Sequence, residues 1–192
     1  VVFDSKKNME SAWNDTSIKF KLKVSFNSYF KKIGMPFLKI LSSLGIEQNP
    51  KFFEYFKKAS LKKINSIKPY NNVMKVFKFL DKKKIKFLIV TSKDFKRSKF
   101  LLKKFNIKPS SIHCPNSRLR GKPYPDQLLY SLKKNNFKAE NTYFVGDTHI
   151  DFLAAKRAKI NFIYAEYGYG KNNKLYQYKI SNFKEIKKFL KV

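Results

Sequence analysis

The chain has 192 residues, 43% of them apolar with 20 Phe and 11 Tyr, which is enough to build one folded core with a small insert. Its formal net charge of +30 attracts anions such as phosphorylated metabolites or nucleic acids. No apolar run reaches the roughly 20 residues of a membrane-spanning helix, and no signal-peptide pattern opens the chain. The single cysteine excludes an internal disulfide framework and favours a cytoplasmic location.

The high lysine content has two interpretations. Lys, Asn, Ile, Phe and Tyr are enriched together, as AT-rich coding produces without selection for a partner. Arg, the usual reader of bases and phosphates, supplies only four of the basic residues: Arg97, Arg118, Arg120 and Arg157. We therefore favour a generic basic surface over a nucleic-acid site, and a nucleic-acid partner stays open.

Up to Pro69 the apolar pattern is helical and contains no clear strand. Apolar residues recur at helical spacing, as around Met9 and Trp13. Gly34-Met35-Pro36 and Gly45 interrupt the pattern and separate short helices. The phenylalanine-rich helices and Trp13 are predicted to form a core. These features predict a small all-helical cap over residues 5–68.

After Pro69 the chain alternates between strand and helix patterns. Strands are predicted at 87–90, 142–145 and 161–165, and helices near 72–80, 94–105, 125–132, 150–158 and 183–190. Asn71 or Asn72 is expected to cap the first of these helices. His113 and Cys114 are expected to be ordinary loop residues. Strands separated by helices predict an α/β fold with a doubly wound parallel sheet over residues 69–192, together with residues 1–4.

Polar residues follow the predicted strands, where ligands bind in such sheets. Thr91 and Ser92 come directly after one strand, and Asp147 follows another with Asp151 four residues later. Lys122 lies in Gly121-Lys122-Pro123, a segment that leads into a helix. Alone, each could be a helix cap, a turn or a solvated helix start. Together they predict a phosphoryl-transfer site: carboxylates for Mg²⁺, hydroxyl donors for phosphate, and a cation for the developing charge.

These segments resemble motifs of haloacid-dehalogenase-superfamily hydrolases, in the branch that contains phosphoglycolate phosphatase. The run 89–93 is similar to the second motif, Arg120-Gly121-Lys122-Pro123 with Asp126 to the third, and Val145-Gly146-Asp147-Thr148 with Asp151 to the fourth. The resemblance covers almost the whole chain, including a helical cap between the first motif and the rest. It implies a core with a Rossmann-like sheet.

The resemblance also implies the roles of individual residues. Thr91, with Ser92, would bind the phosphoryl group, and Lys122 would hold phosphate and the nucleophilic carboxylate together. Asp147 would ligate Mg²⁺ directly and Asp151 would support the metal site. Arg120 could reach an anionic substrate or be a solvated loop charge. The implied reaction is attack by an Asp on a small phosphate ester, followed by hydrolysis of the aspartyl-phosphate.

The first motif of the family, Asp-x-Asp-Gly after an apolar strand, has two possible alignments. In one, Asp4 is the nucleophile, and Lys6 then replaces the acid/base. In the other, which we favour, Val1-Val2-Phe3-Asp4-Ser5 is the tail of the motif, and the nucleophile lies upstream of Val1. The absence of an initial Met fits that alignment. The second alignment predicts that this chain belongs to a phosphatase but is itself inactive. It also predicts that the chain lacks the central strand of its sheet.

Two other functions stay open at this point. One is a non-catalytic protein of the same fold that binds anions or nucleic acid through its lysines. The other is a carbon–halogen or phosphonate hydrolase of the superfamily. The pair Asp147 and Asp151 fits a magnesium-dependent phosphatase better than the halide-releasing branch. The sequence does not indicate the oligomeric state.

Overall fold

The computed structural model describes residues 1–116, 118–170 and 176–190. This part of the chain divides into two compact units, one formed by residues 3–69 and the other by residues 1–2 and 70–192. None of the described helices is long and apolar enough to cross a membrane.

The first unit, residues 3–69, is helical apart from one short antiparallel strand pair. Phe3 lies opposite Pro69, and Asp4 lies opposite Lys68. In chain order its elements are β1 (Phe3–Asp4), α1 (Lys6–Lys19), α2 (Phe26–Phe30), α3 (Phe37–Ser43), α4 (Pro50–Lys62), a 3₁₀ turn (Ile64–Ser66) and β2 (Lys68–Pro69).

Aromatic side chains form the core of this helical unit, as the sequence predicts. Trp13 is 1% exposed, and its ring stacks on Tyr29 with 4.4 Å between centroids. Phe52 lies edge-on to Trp13. The Asn8 side-chain amide donates to the Ser60 carbonyl oxygen at 2.9 Å, and the Ser60 hydroxyl donates to Asn8 Oδ1 at 2.7 Å. Because these polar groups are paired, their burial does not leave an unmet hydrogen bond.

The second unit alternates helices and parallel strands, which confirms the α/β class. Its elements are α5 (Val73–Lys82), β3 (Leu88–Val90), α6 (Phe95–Lys104), β4 (Ser111–His113), α7 (Asp126–Lys134), a 3₁₀ turn (Ala139–Asn141), β5 (Tyr143–Gly146), α8 (His149–Ala158), β6 (Asn161–Ala165), β7 (Tyr178–Ile180) and a 3₁₀ segment (Phe183–Phe189).

The described strands of this unit form two separate parallel sheets. β3 pairs with β4, and β5, β6 and β7 pair in that order. Sequence analysis predicted a single sheet. β4 and β7 were not predicted because their sequences, Ser-Ile-His and Tyr-Lys-Ile, lack the continuous apolar run that marks β3.

Two local expectations are wrong, and a third is refined. His113 is buried in β4 rather than in a loop, and Cys114 directly follows that strand. The helix predicted near 183–190 is present as a 3₁₀ helix, Phe183–Phe189. Asn72 precedes α5 with φ 64°, and its side chain makes no capping bond. Its amide instead donates to the Asn182 side chain at 3.1 Å. His113 pairs with Val90 and Asn72 contacts Asn182, so both errors involve partners that are distant in sequence.

Candidate active site

The centre of the candidate site is a buried ion pair between Lys122 and Asp151. Lys122 precedes α7 and Asp151 lies in the first turn of α8, with 2.5 Å between Lys122 Nζ and Asp151 Oδ1. The two residues are 7% and 4% exposed. Burial raises the pKa of the Asp151 carboxyl, but the Lys122 ammonium and the Thr148 hydroxyl outweigh it and hold that pKa below its usual range. The Asp151 carboxyl is therefore ionised at neutral pH.

Asp151 is oriented by a reciprocal cap at the start of α8. The Thr148 hydroxyl and amide donate to Asp151 Oδ2 at 2.6 and 3.1 Å, and the Asp151 amide donates to the Thr148 hydroxyl at 3.2 Å. Both carboxylate oxygens of Asp151 are thus engaged by protein donors. Asp151 fixes the position of Lys122, and its support of a metal site stays a prediction.

Removing this cap gives a modest and testable loss of stability. We expect Thr148→Ala to lower the free energy of unfolding by about 1 kcal/mol, the usual cost of losing a threonine cap. Thr148→Ser keeps the hydroxyl and should stay close to the original value. Urea denaturation measures both. Equal losses in the two variants would show that the hydroxyl bonds contribute nothing.

Asp147 lies at the carboxyl end of β5 and is held by the loop after β6. The Tyr169 amide donates to Asp147 Oδ2 at 2.8 Å. Gly168 packs so closely that a Cβ there would lie 2.2 Å from Asp147 Cβ, and a Cβ on Gly170 would lie 1.8 Å from the Asp147 carbonyl oxygen. Only glycine fits at these two positions, so residues 168–170 form a cradle for Asp147.

This cradle is the functional feature that sequence analysis missed. The available signal was Gly168-Tyr169-Gly170, which follows the strand 161–165 at its carboxyl end. Glycines at that edge of a parallel sheet allow close backbone approach.

Tyr167, in the same loop, is partly buried, and its hydroxyl donates to the Val1 carbonyl oxygen at 3.1 Å. Desolvation and the charge of Asp147 raise the pKa of Tyr167, so its phenol stays protonated.

The carboxylate of Asp147 is compatible with the role of a Mg²⁺ ligand. Among the described residues, no group of three His, Cys, Asp or Glu side chains could hold a metal by itself. Mg²⁺ does not require such a cage, since it keeps several waters and commonly takes one or two carboxylates with substrate phosphate. Oδ2 of Asp147 accepts the Tyr169 amide, and a carboxylate positioned at a strand end is a ligand type that Mg²⁺ takes. Asp147 thus fits the metal role.

Thr91 and Ser92 lie at the carboxyl end of β3, in the other sheet. The Thr91 hydroxyl accepts the Lys93 amide at 3.1 Å, and the Thr91 amide donates to the His113 carbonyl oxygen at 3.0 Å. Desolvation and the neighbouring Arg97 lower the pKa of Lys93 to about 8. The roles of Thr91 and Ser92 in phosphate binding stay predictions.

Arg120 is tied to its own loop. Its guanidinium bonds both oxygens of Asp126 at 2.9 and 3.0 Å and stacks on Tyr124 at 4.4 Å. The Arg157 guanidinium also lies over the Tyr124 ring, and it donates a hydrogen bond to the Pro123 carbonyl oxygen at 2.7 Å. These contacts brace the segment that carries Lys122, so a bracing role explains Arg120 without substrate. Its substrate-binding role stays a prediction.

Asp4 belongs to the helical unit. It is exposed on β1, and its side chain accepts the Lys6 amide at 3.0 Å. β1 is antiparallel to β2 rather than part of a parallel sheet. Asp4 therefore does not follow a parallel strand, the location expected for a nucleophile in this fold class.

Comparison with known proteins identifies the family. A family model described as haloacid dehalogenase-like hydrolase matches residues 1–165. Phosphoglycolate phosphatase of Colwellia psychrerythraea is 40% identical over 57 residues, which are 30% of this chain. That match spans only a quarter of the relative's length.

Solved structures share the fold at low sequence identity. A Lactobacillus plantarum protein, provisionally named a phosphoglycolate phosphatase, superposes with a TM-score of 0.89 at 19% identity, covering 98% of this chain and 94% of that one. A hydrolase from Pseudomonas syringae gives 0.85 at 21%, covering 98% and 92%. CbbY from Rhodobacter sphaeroides, solved with phosphate, gives 0.82 at 13%, covering 97% and 92%.

Proposed function

The chain belongs to the haloacid dehalogenase-like hydrolase family, and we propose that it forms part of an Mg²⁺-dependent phosphatase that acts on a small phosphorylated metabolite through an aspartyl-phosphate. The observation that carries this proposal is the buried Lys122–Asp151 pair, joined through Thr148 to the strand end that bears Asp147. An ammonium that is fixed by Asp151, and joined through Thr148 to the candidate Mg²⁺ ligand Asp147, suits a dianionic phosphoryl group.

In this proposal Lys122 binds the phosphoryl oxygens and stabilises their charge during transfer. Asp151 keeps the ammonium in place, since a lysine fixed before substrate arrives costs no reorganisation during the reaction. Thr91, with Ser92, donates hydrogen bonds to the phosphoryl group from the end of β3. Asp147 holds Mg²⁺, supported by Asp151, and the bound ion neutralises phosphate charge.

We place the nucleophile upstream of Val1, following the second alignment of the first motif. The antiparallel setting of Asp4, with its side chain accepting the Lys6 amide, supports that choice over Asp4. In this alignment the nucleophilic Asp lies four residues before Val1 and the acid/base Asp two residues before it. The 192-residue chain alone is then inactive.

We also propose a substrate and a cellular compartment for this protein. The name of the Colwellia relative supports phosphoglycolate as the substrate, and a sugar phosphate is the other substrate class that we propose. The single, free Cys114 supports a reducing compartment such as the cytoplasm. The oligomeric state is open.

Hydrolysis of p-nitrophenyl phosphate with Mg²⁺ tests the proposal. We expect no turnover from the chain itself, and turnover from a version extended before Val1 by an apolar strand ending in Asp-x-Asp-Gly. In the extended protein, Asp147→Asn should reduce turnover by at least about 100-fold, because a neutral amide is a poorer ligand for Mg²⁺.

Asp4→Asn in the extended protein is the matched control and should retain activity. Turnover by the unextended chain that Asp4→Asn abolishes would identify Asp4 as the nucleophile. A silent extended protein would count against the phosphatase function as a whole.

The net charge of +30 favours one second candidate, a non-catalytic protein that binds anions or nucleic acid. Such binding releases counterions, so its affinity falls steeply as salt rises. Titration of a labelled DNA duplex at several salt concentrations distinguishes the two. Specific binding with a steep salt slope, together with no hydrolysis by the extended protein, would support this alternative.

A further inference from the structure

Helix α8 contacts the segment that carries Lys122 at two separate points. In the first turn of the helix, Asp151 Oδ1 lies 2.5 Å from Lys122 Nζ. In the last turn, the Arg157 guanidinium donates to the Pro123 carbonyl oxygen at 2.7 Å. The six-residue step from Asp151 to Arg157 is about 9 Å along the helix axis. One contact therefore holds the tip of the Lys122 side chain, and the other holds the backbone directly after it.

The Lys122 side chain between these two contacts is packed rather than solvated. The residue is 7% exposed, and its Nζ lies 5.8 Å from the centroid of the Phe144 ring on β5. A free lysine stem has many rotamers, and fixing them costs conformational entropy. A stem whose tip and backbone are both held by one helix has fewer rotamers than a stem held at its tip alone.

Regular secondary structure does not fix the backbone of this segment. In the described part of the chain, no helix or strand lies between His113, where β4 ends, and Asp126, where α7 begins. The Tyr124 amide donates to the Gly121 carbonyl oxygen at 3.2 Å, and Arg120 bonds Asp126. Both bonds stay near the segment, so neither attaches it to the strand end that bears Asp147.

Arg157 supplies such an attachment, because it also shares the Tyr124 ring with Arg120. The guanidinium carbons of Arg157 and Arg120 lie 5.7 and 4.4 Å from the ring centroid. Arg120 belongs to the segment itself, whereas Arg157 belongs to α8. Cations over an aromatic face are attracted by the ring, so Arg157 joins the braced segment to α8 through both a ring contact and a backbone carbonyl.

The position of Arg157 at the end of a helix has a simpler explanation that its contacts exceed. A cation in the last turn is stabilised by the helix dipole whether or not it contacts another segment. Lys156, the preceding residue, is exposed in the same turn and meets that requirement by itself. The dipole does not explain why the Arg157 guanidinium lies at hydrogen-bond distance from the Pro123 carbonyl oxygen.

We propose that Arg157 is a positioning residue for Lys122: it fixes the backbone from which the lysine extends, while Asp151 fixes the ammonium at its tip. One rigid helix would then hold Lys122 in place before substrate arrives. The expected effect of Arg157 on turnover rests on the proposed function of Lys122, whereas its effect on the position of Lys122 does not.

Acetylation of the 192-residue chain tests the positioning without any catalysis. Lys122 is buried, so it should react slowly with a short pulse of acetic anhydride, followed at each lysine by mass spectrometry. We expect Arg157→Met to raise the acetylation rate of Lys122 by at least about tenfold, because loss of a charged donor makes local opening easier. Arg157→Lys keeps the charge and a donor, so Lys122 should react more slowly in it than in Arg157→Met.

Lys156→Met is the matched control and should leave the acetylation rate of Lys122 unchanged. Hydrogen exchange at residues 162–165 of β6 reports opening of the whole unit and should be the same in all variants. Equally fast acetylation in Lys156→Met, or a matching rise of exchange in β6, would overturn the proposal, because surface charge or general stability would then explain the effect. Unchanged acetylation of Lys122 in Arg157→Met would also overturn it.

Kinetics of the N-terminally extended protein separate the positioning role from the phosphatase function. With p-nitrophenyl phosphate, we expect Arg157→Met to lower kcat by about 10- to 100-fold, as misplacement of a reacting group does, and to change KM by less than about threefold. Faster acetylation of Lys122 with an unchanged kcat would overturn the positioning role. Faster acetylation with no hydrolysis by any version would keep the positioning of Lys122 and reject the function. Hydrolysis with unchanged acetylation would keep the function and reject the positioning.

Discussion

Replacing Lys122 by methionine is expected to lower the free energy of unfolding by about 3–5 kcal/mol, the usual cost of breaking a buried ion pair from one side. Methionine keeps the apolar stem but removes the ammonium. The Asp151 carboxylate, 4% exposed, then keeps its charge with only the donors of Thr148. Urea denaturation of the two proteins measures the difference.

Two variants control this prediction within the same unit. Lys188 lies 3.4 Å from Glu185 on the surface, so Lys188→Met should change stability by less than about 0.5 kcal/mol. Adding Asp151→Asn to Lys122→Met removes the unpaired charge and should recover most of the loss. Similar effects of Lys122→Met and Lys188→Met would mean that the buried pair does not stabilise the fold.

The same substitution should also remove catalysis from the N-terminally extended protein. Loss of one positioned group that stabilises developing negative charge typically costs about 100- to 1,000-fold in turnover. Asp151→Asn alone is the reference for turnover, because Asp151 also supports the proposed Mg²⁺ site. If the double variant is as stable as Asp151→Asn but turns over less, Lys122 acts on the reaction as well as on the fold.

Replacing Gly168 by alanine is expected to weaken Mg²⁺ binding by about 10- to 100-fold, as loss of a residue that orients a metal ligand usually does. A Cβ at this position lies 2.2 Å from Asp147 Cβ and 2.3 Å from its Oδ2. The carboxylate or the loop must therefore shift, and the Tyr169 amide bond shifts with it. Overpacking of this kind also costs about 1–3 kcal/mol of stability.

Isothermal titration of Mg²⁺ into the extended protein measures this effect. Gly45→Ala is the matched control, because no atom lies within 4 Å of a Cβ there. Its positive φ of 69° costs some stability, but Mg²⁺ affinity should stay the same. Unchanged affinity in Gly168→Ala would show that the cradle does not set the position of Asp147.

The α/β class and the polar residues at strand ends could be predicted because both have local signals. An apolar run such as 87–90 predicts a buried strand from local sequence. The residue that follows such a run lies at the carboxyl edge of the sheet. Thr91 and Asp147 were located in this way. The cradle at Gly168 could not be located so directly, because its glycines are needed for contact with Asp147, 21 residues earlier.

The sequence by itself determined the alternation of strands and helices, the helical composition of residues 5–68 and the order of the motif residues, since hydrophobic periodicity and turn residues act over a few neighbours. The tertiary structure alone decided that Lys122 is held by Asp151, that both oxygens of Asp151 are engaged, and that the parallel strands separate between β3 and β5. Those features depend on which distant segments share a layer. Pairing of strands and burial of charges are set by neighbours in space, and a single sequence does not state them.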